Sequence, residues 1–594
     1  MTILVKKSKS KTKLSKFMKG LWPLAFIGCF GMVIEVVCQL YLPKIMGRII
    51  DKGVTPVING TVPASEGQKY IFIQGAIMVL VAVVSIIGGI TCIKESAVAS
   101  QNFASRIRNA MFEKISSFSF KNIDEFSTAS LTTRLTNDVT TIQNTVMMSL
   151  RILVRVVSLL IFASFFAFSI NAKLASLIMI CLPVIAIVVA CVLKVGFPMF
   201  KKMQKRIDAI NSVVQENLIG IRVVKAYVRE DHEKEKFKKV NDDLSAQGAK
   251  ATGIVITVMP IMMLLFNLTS VLVIYRGGID INSGIMTTGE LLSFISYVME
   301  ILMSIMMFAM ILMMVVRSRA CADRVKEVLD AEVDITTPEK TKSSNKKGKV
   351  EFKNVNFRYS TQTHGDDILS NINFTAEAGK IVGIVGSTGC GKSSLVSLIP
   401  RLYDVTNGQV LIDGVDVRDY DLTELRDNIG VVLQNNTLFT GTIKENLRWG
   451  KKDATDEEIV AACKSAQAHD FIMEQPNGYD TVLVQGGLNL SGGQKQRLCI
   501  ARAMIKKPHI LILDDSTSAV DTATEAKIRK SFYTDLKDTT VFIIAQRITS
   551  VIDADEILVM DDGEIKGIGT HKELIESNEI YKEIYNTQQK GVME

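Results

Sequence analysis

Gly386-Ser387-Thr388-Gly389-Cys390-Gly391-Lys392-Ser393 lies between an apolar run, Ile381–Val385, and the helix-forming Ser394–Leu398. Strand, glycine loop and helix in that order form the context that a phosphate-cradling loop requires. The glycines let backbone N–H groups turn toward phosphate oxygens. Lys392 can neutralise the β- and γ-phosphates, and the Ser393 hydroxyl can ligate Mg²⁺. Downstream, Ile510-Leu511-Ile512-Leu513 reads as a strand ending in Asp514, which is placed to orient the same ion. ATP and Mg²⁺ are the expected cofactors.

The chain around this loop is long and of two kinds. Its 594 residues exceed what one core organises, so two or more domains are expected. It is 48% hydrophobic, and the apolar residues concentrate before about residue 320. That pattern predicts a membrane domain followed by a soluble one. The net charge of +8 would suit a nucleic-acid binder, but many of the charges flank apolar spans, so no nucleic-acid partner is expected. Seven lysines lie between Lys6 and Lys19, ahead of the first span. The positive-inside rule puts that end in the cytoplasm. The nine cysteines form no C-x-x-C pair and no metal spacing, which argues against a disulfide framework. The first apolar run is long and interrupted by Glu35 and Gln39, unlike a cleavable signal.

Six spans are predicted, at Trp22–Leu42, Tyr70–Ile93, Ile152–Ile170, Leu174–Leu193, Ala251–Tyr275 and Leu291–Val316. Most approach the ~20 residues that cross a bilayer as a helix. Their connections alternate. Ile50–Gln68, Asn171-Ala172-Lys173 and Arg276–Glu290 carry few positive charges. The two long connections are strongly charged and poor in proline, so the membrane helices are expected to continue well into the cytoplasm. Residues 1–330 therefore read as the membrane domain with two cytoplasmic coupling regions, 331–349 as a polar linker, and 350–594 as the nucleotide-binding domain. From Val350 onward, short apolar strands alternate with helical segments, the sign of an α/β domain.

Two side chains near the loop matter for catalysis. Position 515 follows Asp514 and should hold the group that polarises the attacking water. Asp515 has suitable chemistry but is one methylene shorter than glutamate. A misplacement near 1 Å can cost ~10²-fold, and loss of a general base ~10²–10⁴-fold. Gln546, in Ala545-Gln546-Arg547, can hydrogen-bond a γ-phosphate but cannot supply an imidazolium charge.

With these motifs the chain resembles the ATP-binding-cassette exporters, specifically half-transporters with six membrane helices fused to one nucleotide-binding domain. The resemblance covers nearly all of it. Leu490-Ser491-Gly492-Gly493-Gln494 matches the family signature, and Ser518-Ala519-Val520-Asp521 the loop that crosses the dimer. Leu135–Val139 and Gly220–Ala226 match stretches beside the family's two coupling helices. The resemblance implies that Tyr359 stacks on adenine, that Ser394 borders the phosphate loop, and that Gln434 links Mg²⁺ to the membrane domain. Three departures stand out: Asp515 for glutamate, Gln546 for histidine, and Val482–Gly487, where only Gln485 remains of a charged run.

In this family two domains sandwich two ATP molecules, each site using the phosphate loop of one chain and the signature of the other. The resemblance thus implies a heterodimer in which this chain supplies a degenerate ATP site and completes the partner half-transporter's site with Ser491, Gly492, Gly493 and Gln494. The implied activity is ATP-driven export of amphipathic small molecules, drugs or lipid-like compounds across the plasma membrane, with the nucleotide-binding domain cytoplasmic. Two alternatives stay open: a homodimeric exporter in which Asp515 is slow but competent, and an ATP-regulated membrane subunit that does not transport. The absence of a regulatory insertion between Asp323 and Val350 counts against the second.

Within the spans, Glu35, Glu300, Arg151 and Arg155 are ionisable. Such groups face an aqueous cavity or a partner, or pair with one another. Met299, Met303, Met306, Met310 and Met313 follow helical spacing. They suit an adaptable ligand surface and ordinary helix packing about equally.

Overall fold

The structure is a computed structural model that describes residues 12–344, 347–359 and 367–593. The backbone falls into two units. One takes in the chain up to Ile115 together with Ser130–Asp330; the other takes in Ser116–Ala129 and the chain from Ala331 onward. Lys6, Lys7, Lys9 and Lys11 of the lysine-rich segment, and Asn345 and Lys346 of the linker, lie outside the described residues.

Among the described residues the first unit is helical apart from short turns. Its long helices are Ala64–Ser116, Ala172–Ile219, Glu230–Asn282 and Thr288–Asp330, alongside the helical stretches Trp22–Ile58 and Thr128–Ile170. Ala64–Ser116 has 53 residues, about 80 Å at 1.5 Å per residue, against a hydrocarbon layer about 30 Å thick. The expected extension beyond the membrane is therefore present. Among the described residues five stretches are long and apolar enough to span: Trp22–Ile58, Ala64–Ser116, Thr128–Ile170, Met263–Asn282 and Thr288–Asp330. The expected fourth span, Leu174–Leu193, lies in the helix Ala172–Ile219, but most of its side chains are outside the described set.

Glycine brings two of these helices together. A Cβ on Gly31 would lie 2.7 Å from the Gly88 carbonyl oxygen, and one on Gly88 would lie 2.7 Å from that of Gly31. Only backbone fits at that crossing, the device by which membrane helices approach closely.

The second unit holds two main sheets. The antiparallel one has the order Leu369–Ala376, Val350–Phe357, Asn407–Ile412, Val415–Asp416. The six-stranded one has the order Glu564–Gly569, Glu556–Asp561, Ile381–Gly386, Thr540–Ile544, Ile510–Asp514, Ile429–Val432. All its pairs are parallel except that of Glu556–Asp561 with Glu564–Gly569. Its central strands are mostly apolar and buried at almost every position because both faces are covered. Leu511, Leu513, Val541 and Ile543 join one hydrophobic cluster with the helix Gly492–Ile505. Ile510, Ile512, Phe542 and Ile544 join the other, with Phe352, Phe357 and Phe374 of the antiparallel sheet.

A short helix, Phe120–Phe126, belongs to this second unit. Ser119 and Asn122 form its capping box. Tyr403 donates to an Asp124 carboxylate oxygen at 2.7 Å, and its ring centroid lies 6.0 Å from that of Phe120. In the first unit, the short helix Ile221–Ala226 carries exposed Val223, followed by exposed Tyr227 and Val228.

Candidate functional site

Strand register assembles the site. Ile544 is the register partner of both Ile384 and Asp514, and Val432 is the partner of Leu513. Four loops therefore leave one edge of the sheet side by side: the one bearing Gln434, Asp514-Asp515, Ala545-Gln546, and the phosphate loop. Ligands of parallel α/β sheets bind beyond this carboxyl edge.

The phosphate loop has the backbone its glycines allow. Gly386, Gly389 and Gly391 have φ of 152°, 90° and 94°. A Cβ on Gly386 would stand 2.0 Å from the Met560 carbonyl oxygen, so no other residue fits there. Ser387, Thr388 and Gly389 form the exposed tip, and the Ser387 hydroxyl donates to Asp561. Buried Cys390 packs beneath the tip. Lys392 Nζ donates to the carbonyls of Gly386 and Ser387 at 2.9 and 2.7 Å, which holds its charge within the loop. The Ser393 hydroxyl donates to Asp514 Oδ1 at 2.9 Å.

These residues fit Mg²⁺-ATP. A glycine cradle with an internal lysine suits phosphates. A hydroxyl and a carboxylate in contact suit a hard cation that takes few protein ligands and completes its shell with phosphate and water. Among the described residues there is no cluster of three or more His, Cys, Asp or Glu that would make an all-protein cage.

Asp515 and Gln546 meet. Gln546 Nε2 donates to Asp515 Oδ2 at 2.7 Å. Asp515 has φ of 48°, in the left-handed region where aspartate is among the better-tolerated residues. Its N–H donates to the Ile544 carbonyl, and Ser518 Oγ donates to its carbonyl. Burial pushes the carboxyls of both Asp514 and Asp515 above the usual aspartate range. For Asp515, hydrogen bonds from Ser518 and Gln546 and the charges of Lys392 and Arg547 oppose that rise.

The other expected residues divide. Tyr359 is hydrogen-bonded to Ser394 at 2.9 Å, and its ring stands edge-on to Phe357 and Tyr403. Gln434 is exposed, and its carbonyl accepts from Asn436 at 3.4 Å. The signature starts the helix Gly492–Ile505, where Ser491 and Gln494 form a capping box. Among the described residues no hydrogen bond joins Ser491–Gln494 to the phosphate loop of the same chain. A Cβ on Gly493 would lie 2.7 Å from the Ala519 carbonyl oxygen, whereas one on Gly492 would meet nothing closer than Ala519 Cβ at 3.5 Å. Gly492 is therefore free of its own chain. The Val482–Gly487 segment and its flank expose Val482, Val484 and Leu488.

Sequence reasoning missed two glutamines. Gln496, almost fully buried, accepts from the Ala519 N–H at 3.0 Å and donates to Ser518 at 3.3 Å, which ties the signature helix to the loop after Asp515. Its position one turn after Gly492 could have suggested it. Gln588, on the helix Glu579–Met593, accepts from the Ile548 N–H and donates to the Gln546 carbonyl, both at 2.8 Å. A cavity of about 380 Å³ lies here, lined by Asp515, Gln546, Arg547, Tyr585 and Gln588 among others. No local motif marks Gln588, because its partners are 40 and 42 residues away.

Two expectations follow. A carboxyl whose pKa is raised by folding stabilises the chain while protonated and loses that contribution as pH rises through the raised value. At pH 7 the charged Asp514 is therefore unfavourable until a divalent cation offsets it. Asp514→Asn should raise the melting temperature of the nucleotide-free protein and remove the Mg²⁺-dependent part of its stabilisation by ATP, measured by scanning fluorimetry with and without Mg²⁺. Gln588→Ala should weaken ATP binding severalfold by loosening the loop that carries Gln546. Gln588→Glu, which keeps the acceptor for Ile548, should weaken it less; titration with a fluorescent ATP analogue reads both.

Comparison with known proteins agrees with this architecture. Residues 25–315 match the family described as the ABC transporter transmembrane region, and residues 369–518 match that described as ABC transporter. The ABC transporter ATP-binding protein YfiB of Bacillus subtilis is 40% identical over 576 residues, 97% of this chain and 98% of that protein. The "ATP-dependent lipid A-core flippase" of Syntrophus aciditrophicus is 34% identical, covering 82% of this chain and 81% of that protein. The "Putative multidrug export ATP-binding/permease protein YgaD" of B. subtilis is 35% identical, covering 81% and 83%. The fold is that of a bacterial Atm1-family ABC exporter solved with ATP bound, with a TM-score of 0.77 at 24% identity over 97% of this chain and 98% of that one. The chain belongs to the ABC transporter family, with a helical membrane region followed by an ATP-binding domain.

Proposed function

We propose that this chain is one half of a heterodimeric exporter and contributes a degenerate ATP site together with a working signature. The observation that carries this is the 2.7 Å hydrogen bond from Gln546 to Asp515. The Gln546 amide occupies a carboxylate oxygen that would have to face the attacking water, and it offsets part of the rise in proton affinity that burial gives Asp515. The amide brings no positive charge to a γ-phosphate. The two departures are thus coupled: each occupies the group the other would need for hydrolysis. Binding parts stay in place, since Lys392, Ser393 and Asp514 keep the geometry of a phosphate and Mg²⁺ site.

The signature supports the other half of the proposal. Its helix is capped, and Gly492 has room on its outer side. The positive end of the helix and the bare backbone suit a phosphate presented by another chain. Amphipathic small molecules, drugs or lipid-like compounds are the proposed cargo, in keeping with relatives named for lipid A-core and for multidrug export. The lysines before Trp22 favour a cytoplasmic N-terminus and nucleotide-binding domain in the plasma membrane. Slow hydrolysis would let ATP persist at this chain's site and hold the two domains closed through several partner turnovers.

The purified single chain is expected to bind Mg²⁺-ATP but hydrolyse it poorly, and Lys392→Ala is expected to weaken binding. Turnover of several per second by a verified homodimer would establish the homodimeric alternative instead. In the co-purified heterodimer, Gly492→Asp should nearly abolish ATPase and transport, while Asp515→Ala should reduce them far less. A Cβ at position 492 meets its own chain only at ordinary contact distance, so the effect is expected to report repulsion of the partner-held phosphate. Equal losses from the two substitutions would show that both sites share hydrolysis.

A further inference from the structure

A continuous polar chain crosses three helices of the membrane unit. Arg155 Nη1 donates to Glu35 Oε1 at 2.6 Å, and Arg155 Nη2 donates to Gln39 Oε1 at 2.6 Å. The Gln39 amide then donates to Glu300 Oε1 at 2.7 Å. Glu35 and Gln39 lie one turn apart in Trp22–Arg48, Arg155 lies in Val154–Ile170, and Glu300 in Thr288–Asp330. Glu300 is twelve residues from Thr288 and Arg155 sixteen from Asn171. At 1.5 Å per residue they sit roughly 18 and 24 Å from those helix ends, within candidate membrane spans and less than the ~30 Å thickness of a hydrocarbon layer. Ionisable groups at that depth are expensive and mark sites of function.

The chain is built, and its charges are used unequally. Gly89 leaves space for Glu35: a Cβ there would lie 2.9 Å from Glu35 Oε2. The Arg155 charge is spent on Glu35, and both groups are mostly covered, with side chains 25% and 20% exposed. Gln39 passes on a dipole but no charge. Glu300 at the far end therefore has one neutral donor and, among the described residues, no cation within salt-bridge distance. It is only half-buried, and Met299 and Met303 on the same helix are exposed. Arg151 offers no equivalent opening on the opposite sign. It lies in the π-helical stretch Ser149–Leu153, and its Nε is buried without a hydrogen-bond partner among the described residues.

We propose that Glu300, held by the Gln39–Arg155–Glu35 chain, is a binding site for the cationic group of an amphipathic substrate, with Met299 and Met303 taking part of its apolar body. An ammonium or phosphonium centre would supply the charge that Glu300 lacks, and polarisable thioethers adapt to varied greasy shapes. This deepens the export reading, on which it rests for the fate of the bound molecule but not for binding itself.

The test uses the full chain in phosphatidylcholine nanodiscs without nucleotide. Tetraphenylphosphonium and tetraphenylborate have the same shape and opposite charge. Their binding is measured by equilibrium dialysis and corrected with protein-free nanodiscs. The wild type is expected to prefer the phosphonium. Glu300→Gln should weaken phosphonium binding at least about tenfold, as loss of one partner of a buried charge pair does, and should not weaken borate binding. Glu300→Asp, which keeps the charge, should retain the preference and shows that a loss in Glu300→Gln is not misfolding. Equal binding of both ions, a preference for the borate, binding of neither, or an unaffected Glu300→Gln would each overturn the assignment. Because no ATP is hydrolysed in this experiment, its outcome is independent of the ATPase measurements that test the heterodimer.

Discussion

The in-register pairing of three parallel strands, Ile381–Gly386, Thr540–Ile544 and Ile510–Asp514, is the constraint on which the nucleotide site depends. Each strand is too short to place a side chain by itself. Side by side, they end at one level, so the phosphate loop, Gln546 and Asp514-Asp515 leave the same edge. The pairing survives because apolar clusters cover both faces, and a slip by one residue would exchange every inward side chain between them. Core packing and phosphate chemistry therefore share one cause.

What the edge then presents is a pair of side-chain contacts, one on each side of the Asp514-Asp515 step. Ser393 and Asp514 face each other as a metal site needs, whereas Asp515 and Gln546 satisfy one another. Burial makes the two adjacent carboxyls unfavourable as anions, so their ionisation is linked to stability. The C-terminal helix extends the same network, since Gln588 bonds to both sides of the Gln546 loop.

The membrane unit solves a related problem in a different solvent. Bringing Gly31 and Gly88 into backbone contact lets Trp22–Arg48 and Ala64–Ser116 pack closely. That contact and the space at Gly89 position Glu35 for Arg155. The charges that would be costly in hydrocarbon are joined in series rather than dispersed, and the series ends on Glu300.

Sequence alone determined what is written in contiguous residues. The glycine spacing of Gly386–Ser393, the fully apolar strand before Asp514, and the long apolar spans each need only local geometry, so loop and fold class were legible. The departures at 515 and 546 were also visible, but their hydrogen bond was not, because 31 residues separate them and strand order alone makes them neighbours. Likewise the candidates Glu35, Arg151, Arg155 and Glu300 could be named but not paired. The structure chose Arg155 with Glu35, left Arg151 unmatched at its Nε, and supplied Gln39 as the link to Glu300. Gln588 carried no signal at all. Such contacts depend on which surfaces meet after the chain packs, and a sequence motif records only neighbours along the backbone.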